Sequence, residues 1–216
     1  MLPADYSFVI WAPIYVGVLG HAIYQALPSR QRDPVLRRAG WATAAAVGLS
    51  GTWVWAKDTP VLQLPLIAAT AAAAGRAYLQ AAPKDEKERA STGERWLVRA
   101  PLGLFTGWIT LACVAATSEI LITLGVKAPW PGPEAWSASA LAGLAGAAAT
   151  VAWRRPLSLG YPIAVGWGLA GVAAGILPSH RLPGVAAVLG AAALAFAGWG
   201  AAHRERSSST GQVHSL

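Results

Sequence analysis

Charged residues and cysteine are scarce in this chain of 216 residues. Asp, Glu, Lys and Arg make up 12% of it, about half the share found in a typical soluble domain. Hydrophobic residues reach 55%, so the chain is too apolar to be intrinsically disordered. The single cysteine, Cys113, has no partner in the chain and excludes a disulfide-stapled secreted fold. These shortages favour a membrane protein.

Motifs for metal binding, nucleotide binding and hydrolysis are also missing. The four histidines and Cys113 lack the spacing of a metal site. The sequence has no glycine-rich phosphate loop with a lysine. It also offers no combination of Ser, His and Asp that we can nominate as a catalytic triad. We therefore nominate no catalytic residue and no metal ligand. An enzyme based on side-chain acid–base chemistry is disfavoured.

Seven apolar stretches are long enough to cross a bilayer as helices. A bilayer core of about 30 Å needs about 20 apolar residues in a helix. Each stretch is rich in Ala, Leu, Val and Gly and nearly free of charge. We predict an all-α integral membrane protein, a bundle of seven transmembrane helices. The predicted spans are residues 6–27, 38–56, 61–80, 96–124, 135–153, 157–177 and 183–202.

Positive charges collect on one side of this predicted bundle. Of the 17 Lys and Arg residues, only Lys57, Lys127 and Arg181 lie on the other side. Because cytoplasmic connections carry the excess of Lys and Arg, we predict the N-terminus outside and the C-terminus inside. Topology then accounts for the net charge of +7, so the expected partner is the lipid bilayer and not nucleic acid. No targeting segment is visible, which favours a bacterial inner membrane.

Tryptophan is abundant, with 11 residues, and its depth in the predicted spans matters. Eight tryptophans lie near the predicted interfaces, where an aromatic belt explains them. Trp108 and Trp167 lie near the middle of their helices, and Trp11 and Tyr15 are four residues apart on one helix face. Simple packing and an aromatic ligand pocket both account for these residues. The eight belt candidates are Trp41, Trp53, Trp55, Trp96, Trp130, Trp136, Trp153 and Trp199.

Polar groups, prolines and small residues inside the spans are the remaining signals. Glu119 lies toward the outer end of the fourth predicted span and His21 toward the inner end of the first. Ionisable groups at such depths are functional candidates, although His21 is better explained as a neutral packing residue. Prolines inside spans predict helix bends, and Gly171 with Gly175 predicts close packing. The four prolines are Pro13, Pro65, Pro101 and Pro162.

Three short aromatic segments resemble those of a known family. They are residues 8–15 (FVIWAPIY), residues 49–55 (LSGTWVW) and residues 94–108, in which Arg99 and Pro101 precede Trp108. Their order and spacing are similar to the TspO/translocator protein family, also called tryptophan-rich sensory proteins. The resemblance covers about residues 6–125. Ser50 and Ala116 stand where the family commonly has Asn, which removes the polar contacts those residues would make.

The resemblance also implies a division of the chain. The family has five helices, whereas this chain lacks the first of them and adds three from about residue 134, as in a longer, seven-helix branch. We expect a TspO-like four-helix region at 1–125, a three-helix membrane extension at 126–203 and a disordered cytoplasmic tail at 204–216.

The family implies ligand handling. Its members bind porphyrins and sterol-like lipids in an aromatic cavity, and they are often homodimers. Some promote light-dependent breakdown of protoporphyrin, which is the one enzymatic activity that the resemblance suggests. We expect a binding or sensory protein for a flat hydrophobic ligand, such as a porphyrin or haem, with no obligatory cofactor. The residues carried over by position are Trp11, Tyr15, Trp53 and Trp108, with Trp55 and Glu119 at the outer rim.

Two other functions stay open at the level of sequence. One is a carrier or channel for a small apolar solute, gated by the bends at Pro13, Pro101 and Pro162. The other is a structural or assembly subunit without a ligand, which closely packed Ala- and Gly-rich helices would suit.

Overall fold

The structure, a computed structural model, describes residues 2–56, 59–82, 91–154 and 159–211. Within these residues the chain forms seven long helices and no strand, which confirms the all-α prediction. A 3₁₀ turn, Asp5–Ile10, leads into the first helix, and a helical turn, Thr92–Glu94, with a π-helical segment, Arg95–Arg99, leads into the fourth. The helices are α1 (Trp11–Ala26), α2 (Pro34–Ala56), α3 (Pro60–Gln80), α4 (Ala100–Thr123), α5 (Pro133–Arg154), α6 (Gly160–Ile176) and α7 (Arg181–Gly211).

Local chemistry explains several helix boundaries. Asp33 Oδ1 accepts hydrogen bonds from the backbone N–H groups of Val35 at 2.9 Å and Leu36 at 3.4 Å, and so caps α2. Ser91 Oγ accepts the N–H of Glu94 at 3.2 Å at the next helical start. Helix α4 ends before Gly125, whose φ of +70° suits glycine better than any other residue.

Helices α4 and α6 lie at the centre of the bundle. Helix α2 packs on α3, α3 on α4, and α4 on α6, while α5 and α7 pack on each other and on α6. The Thr106 hydroxyl of α4 donates to the Ala74 carbonyl of α3 at 3.0 Å, and the rings of Tyr78 and Tyr161 stack at 5.6 Å between α3 and α6. Helix α1 contacts mainly α4 and the π-helical segment that precedes α4. One side of α1 is therefore open.

Four helices in the described part of the chain are long and apolar enough to cross a membrane. They are Asp5–Ala26, Thr92–Thr123, Pro133–Trp153 and Arg181–Gly198. Helix α6 is apolar but has 17 residues, and α2 and α3 are not among the helices apolar enough to qualify. The seven-span arrangement and its orientation therefore stay predictions.

Large apolar side chains face outward on these helices. On α1, Val16, Leu19 and Ile23 are all exposed, a pattern that soluble monomers rarely tolerate and that lipid would cover. Six of the eight belt candidates are exposed: Trp41, Trp55, Trp96, Trp130, Trp136 and Trp153. Trp53 is partly buried, and the side chain of Trp199 lies outside the described set.

Two local expectations change in the structure. Residues 204–211, expected in a disordered tail, continue α7 as a helix, since Arg and Glu at 204–206 favour helix; residues 212–216 lie outside the described residues. Of the four prolines, only Pro65 lies well inside its helix. Pro13 and Pro162 are each the third residue of their helices, where backbone N–H groups lack intrahelical partners, and Pro101 lies where the π-helical segment meets α4.

Candidate aromatic cavity

A cavity of about 360 Å³ lies between α1, α2 and α4, beside the segment that precedes α1. Its volume is within the range of small-molecule sites. The wall brings together four of the residues nominated from sequence: Trp11, Tyr15, Trp53 and Trp108. The other lining residues are Leu2, Pro3, Phe8, Ser50, Ile109, Leu111, Ala112, Ala115 and Ala116.

Trp108 forms the buried floor of this cavity. Its side chain is 2% exposed and lies in the middle of α4. The edges of neighbouring rings meet it at right angles, with centroid distances of 5.6 Å to Phe8 and 6.4 Å to Trp11. Edge-to-face contacts of this kind hold aromatic rings in fixed orientations. Trp108 is therefore a rigid surface against which a ligand can rest.

Trp11 and Tyr15 form the open side of the cavity. Their spacing of four residues places both rings on one face of α1, and the rings stack at 5.1 Å with an interplanar angle of 22°. Tyr15 is 64% exposed, whereas Trp11 is partly buried. The stack thus leads from the membrane-facing surface to the buried floor.

The cavity wall is almost entirely apolar. Among the residues that the structure describes, none that lines it is charged, and Ser50 is its one aliphatic hydroxyl. Ser50 and Ala116, the two positions at which the chain departs from the family pattern, both line the cavity. Their small side chains leave space where an Asn amide would stand. The wall can therefore offer apolar burial and ring stacking, but no ion pair.

Trp55 and Glu119 do not line this cavity. Trp55 is two residues beyond Trp53, about 200° around the helix, and lies in a separate groove between α2 and α3 with Leu62 and Pro65. Glu119 lies one turn beyond Ala115 and Ala116, past the end of the wall, and is exposed. The helical position of Trp55 and the depth of Glu119 place them outside the cavity.

The segment before α1, residues 2–10, forms a wall that we did not predict from sequence. Leu2, Pro3 and Phe8 line the cavity. The segment is fixed by α6, because Trp167 Nε1 donates to the Ser7 carbonyl at 2.8 Å and the Ala4 N–H donates to the Gly171 carbonyl at 3.0 Å. Trp167 at mid-helix and the Gly171–Gly175 pair were the sequence signals of this contact.

His21 lies outside the cavity and has a structural role. It is 3% exposed, and its Nδ1 lies 3.0 Å from the Leu97 carbonyl. In an α-helix that carbonyl would accept the N–H of residue 101, which is proline and has none. A proton on Nδ1 lets His21 supply the missing donor. The expectation of a packing histidine agrees with this contact.

Comparison with known proteins gives one match. A family model described as TSPO-like protein matches residues 1–200 of the chain. No curated protein and no solved structure matches it significantly.

Proposed function

Because the chain belongs to the TSPO-like protein family, and is thus a membrane protein of the TspO type, we propose that it binds a flat hydrophobic ligand in the cavity between α1, α2 and α4. The ligand class is a tetrapyrrole or a sterol-like lipid. One observation carries the proposal: Trp11, Tyr15, Trp53 and Trp108, distant in sequence, line the same cavity of about 360 Å³.

The chemistry of the wall supports a flat, mainly apolar ligand. Burial of apolar surface contributes about 25 cal/mol per Å², and a stacked ring adds about 0.5–1.5 kcal/mol. The exposed stack of Trp11 and Tyr15 can extend over a planar ring system that reaches toward Trp108. Charged substituents of such a ligand must stay at the rim, since none of the described lining residues is cationic.

The lining residues give haem little advantage over a metal-free porphyrin. Among the described residues, the lining includes no His, Cys or Met, the side chains that most often hold haem iron, and Tyr15 is its one phenol that could do so. Haem bound here would therefore be held by stacking and burial, as a metal-free porphyrin would. We expect similar affinities for the two.

Titration with protoporphyrin IX tests the proposal. We would follow the porphyrin absorbance band and the quenching of tryptophan fluorescence in detergent-purified protein, with free tryptophan to correct for inner-filter absorption. The variant Trp11→Phe with Trp108→Phe should raise the Kd about tenfold or more, since two ring surfaces are reduced. The matched control is Trp41→Phe with Trp55→Phe, which removes two exposed tryptophans and should leave the Kd unchanged.

Two results would contradict ligand binding in the cavity. One is linear, non-saturating quenching, which indicates only partitioning into the detergent micelle. The other is an equal loss of affinity in the cavity and control variants. An assembly subunit would then be the better explanation, or a carrier if the protein moves apolar solutes across liposomes. If saturable binding is found, illumination of the complex tests for light-dependent breakdown of the porphyrin.

The proposal includes a finer membrane arrangement. The seven apolar stretches suggest seven spans, the charge bias of the connections suggests the N-terminus outside, and the family resemblance is the ground for proposing a bacterial inner membrane and a homodimer. The apolar outer surface of α1, which includes Val16, Leu19 and Ile23, is consistent with contact to lipid or to a second copy.

A further inference from the structure

Residues 2–10, which we call the N-terminal segment, are held against α6 by a small set of contacts. Two hydrogen bonds fix its backbone, from the Ala4 N–H to the Gly171 carbonyl at 3.0 Å and from Trp167 Nε1 to the Ser7 carbonyl at 2.8 Å. The ring of Tyr6 meets the ring of Trp167 edge-on at 5.9 Å. The segment is thus attached to a helix more than 150 residues away in sequence.

Two glycines of α6 make room for this attachment. A Cβ atom at Gly171 would overlap the hydroxyl of Ser7, and a Cβ atom at Gly175 would lie 2.8 Å from the Leu2 carbonyl. Ser7 is fully buried in this contact. The Gly171–Gly175 pair therefore seats the N-terminal segment, whereas such pairs usually bring two helices together.

The same segment covers part of the aromatic cavity. Leu2, Pro3 and Phe8 line the cavity, and Leu2 and Pro3 also lie beside the two glycines of α6. At Trp11 the 3₁₀ turn gives way to α1, and the Trp11 N–H is shared between the carbonyls of Phe8 and Val9. A change of helix type at this point provides a natural hinge.

We propose that the N-terminal segment is the gate of the aromatic cavity. Its contacts with α6 hold this gate closed. Gly171 and Trp167 are then positioning residues: they touch no ligand, but they set how often the segment leaves the cavity. Opening requires the loss of two hydrogen bonds and of two ring contacts, Tyr6 with Trp167 and Phe8 with Trp108, with no ion pair among the described contacts of the segment. The three-helix extension thereby controls access to a site in the first part of the chain.

Chemical labelling tests the gate without any ligand. Ala115 lines the cavity and is buried, so Ala115→Cys in a Cys113→Ser background reports cavity access. Its reaction with methyl methanethiosulfonate is followed by mass spectrometry of the intact protein. Gly171→Ala, whose methyl group displaces Ser7, should speed this reaction at least fivefold. Gly146→Ala is the matched control, because no atom lies within 4 Å of a Cβ there, and it should not change the rate.

Two further variants separate a released gate from a damaged fold. Ser7→Gly added to Gly171→Ala removes the overlap and leaves Pro3 Cβ as the nearest segment atom, at 3.3 Å, so it should restore slow labelling. Trp167→Phe keeps a ring against Tyr6 but loses the donor to Ser7, and it should speed labelling by a smaller factor. Unchanged rates in both Gly171→Ala and Trp167→Phe, or failure of Ser7→Gly to restore slow labelling, would overturn the proposal.

A kinetic measurement links the gate to the ligand, and this measurement alone rests on the proposed function. The association rate of protoporphyrin IX should rise in Gly171→Ala in proportion to the labelling rate. Faster labelling with an unchanged association rate would mean that the ligand enters by another route, and the segment would not be its gate. If the wild-type protein binds no porphyrin, the proposed function fails while the labelling rates still decide whether the segment controls access.

Discussion

At the scale of single residues, the Leu97 carbonyl depends on a histidine from another helix. Pro101 has no N–H to donate to it, and the chain forms the π-helical segment Arg95–Arg99 just before this proline. His21 approaches from α1 and lies 3.0 Å from the carbonyl oxygen. A buried carbonyl without a donor costs about 1–3 kcal/mol, so this contact helps to fix the C-terminal half of α1 on the π-helical segment before α4.

We expect His21→Leu to lower the free energy of unfolding by about 1–3 kcal/mol, because it leaves the Leu97 carbonyl without a donor. Pro101→Ala supplies an N–H in the same helix, so His21→Leu should cost less in that background. Chemical unfolding in detergent, followed by circular dichroism, measures all four members of this double-mutant cycle. An equal cost in both backgrounds would show that the histidine acts through packing alone.

Ala116 offers a way to fill the cavity from its wall. Ala116→Phe places a ring in space that the ligand would occupy, so the Kd for protoporphyrin IX should rise at least tenfold while the fold is kept. Ala140→Phe adds the same ring to an exposed position of α5 and should leave the Kd unchanged. Equal Kd values for the two variants would place the porphyrin outside this cavity. Porphyrin absorbance reports both titrations.

Helical geometry decides which aromatic residues the sequence could identify. Trp11 with Tyr15, and Ser50 with Trp53, are spaced so that each pair shares one helix face, and all four line the cavity. Trp55 was nominated because it is near Trp53 in sequence, but two residues along a helix turn the side chain to another side. Leu2 and Pro3 could not be found in this way, because their place in the wall depends on contacts with α6.

At the scale of helices, the crossing of α4 and α6 brings two backbones into direct contact. A Cβ atom at Gly107 would lie 2.5 Å from the Tyr161 carbonyl, and one at Gly160 would overlap the Ala100 carbonyl. Each helix thus contributes a glycine opposite the backbone of the other. This contact joins the first part of the chain to the three-helix extension.

We expect Gly107→Ala to destabilise the protein by about 1–3 kcal/mol, the usual cost of overpacking. Gly146→Ala on α5 is the control, since it meets open space, and alanine favours a helix by about 1 kcal/mol over glycine. Thermal unfolding in detergent should therefore order the variants as Gly146→Ala, wild type and Gly107→Ala, from most to least stable. A Gly107→Ala protein as stable as wild type would contradict the close crossing.

The sequence predicted the positions of the helices better than it predicted which of them cross a membrane. Each predicted span overlaps one observed helix, because long apolar stretches bounded by proline and charge leave few alternatives to helix. Whether a helix crosses a membrane depends on more than its apolar length. Helices α2 and α3 are long, but they are not among those apolar enough to span by composition.

At the scale of the whole molecule, the three C-terminal helices are part of one bundle with the first four. Helix α6 packs on α4, and α5 and α7 pack on α6. The family match, which spans residues 1–200, extends across the same helices. The sequence indicated only that three helices were added. Their contact with the segment before α1, through Trp167 and Gly171, required the folded chain.

Two membrane arrangements, with seven spans or with four, differ in where the two ends of the described chain lie. Seven spans place the ends on opposite sides, whereas the four helices that qualify by length and composition would place them on the same side. The charge bias does not decide between them, because 14 of the 17 Lys and Arg residues share one side in both: the other three are Lys57, Lys127 and Arg181 with seven spans, and Lys127, Arg204 and Arg206 with four. Single cysteines in a Cys113→Ser background provide the test, with a membrane-impermeant maleimide applied to intact cells.

We expect Asp5→Cys and Ala128→Cys to be labelled in intact cells, since both lie on the predicted outer side and both positions are exposed. Ser209→Cys should react only after the cells are permeabilised. Labelling of Asp5→Cys and Ser209→Cys together in intact cells would mean an even number of spans, as the four-helix arrangement requires. Labelling of Ser209→Cys alone would keep an odd number but reverse the bundle. The cavity would then face the cytoplasmic leaflet, and its ligand would have to come from inside the cell.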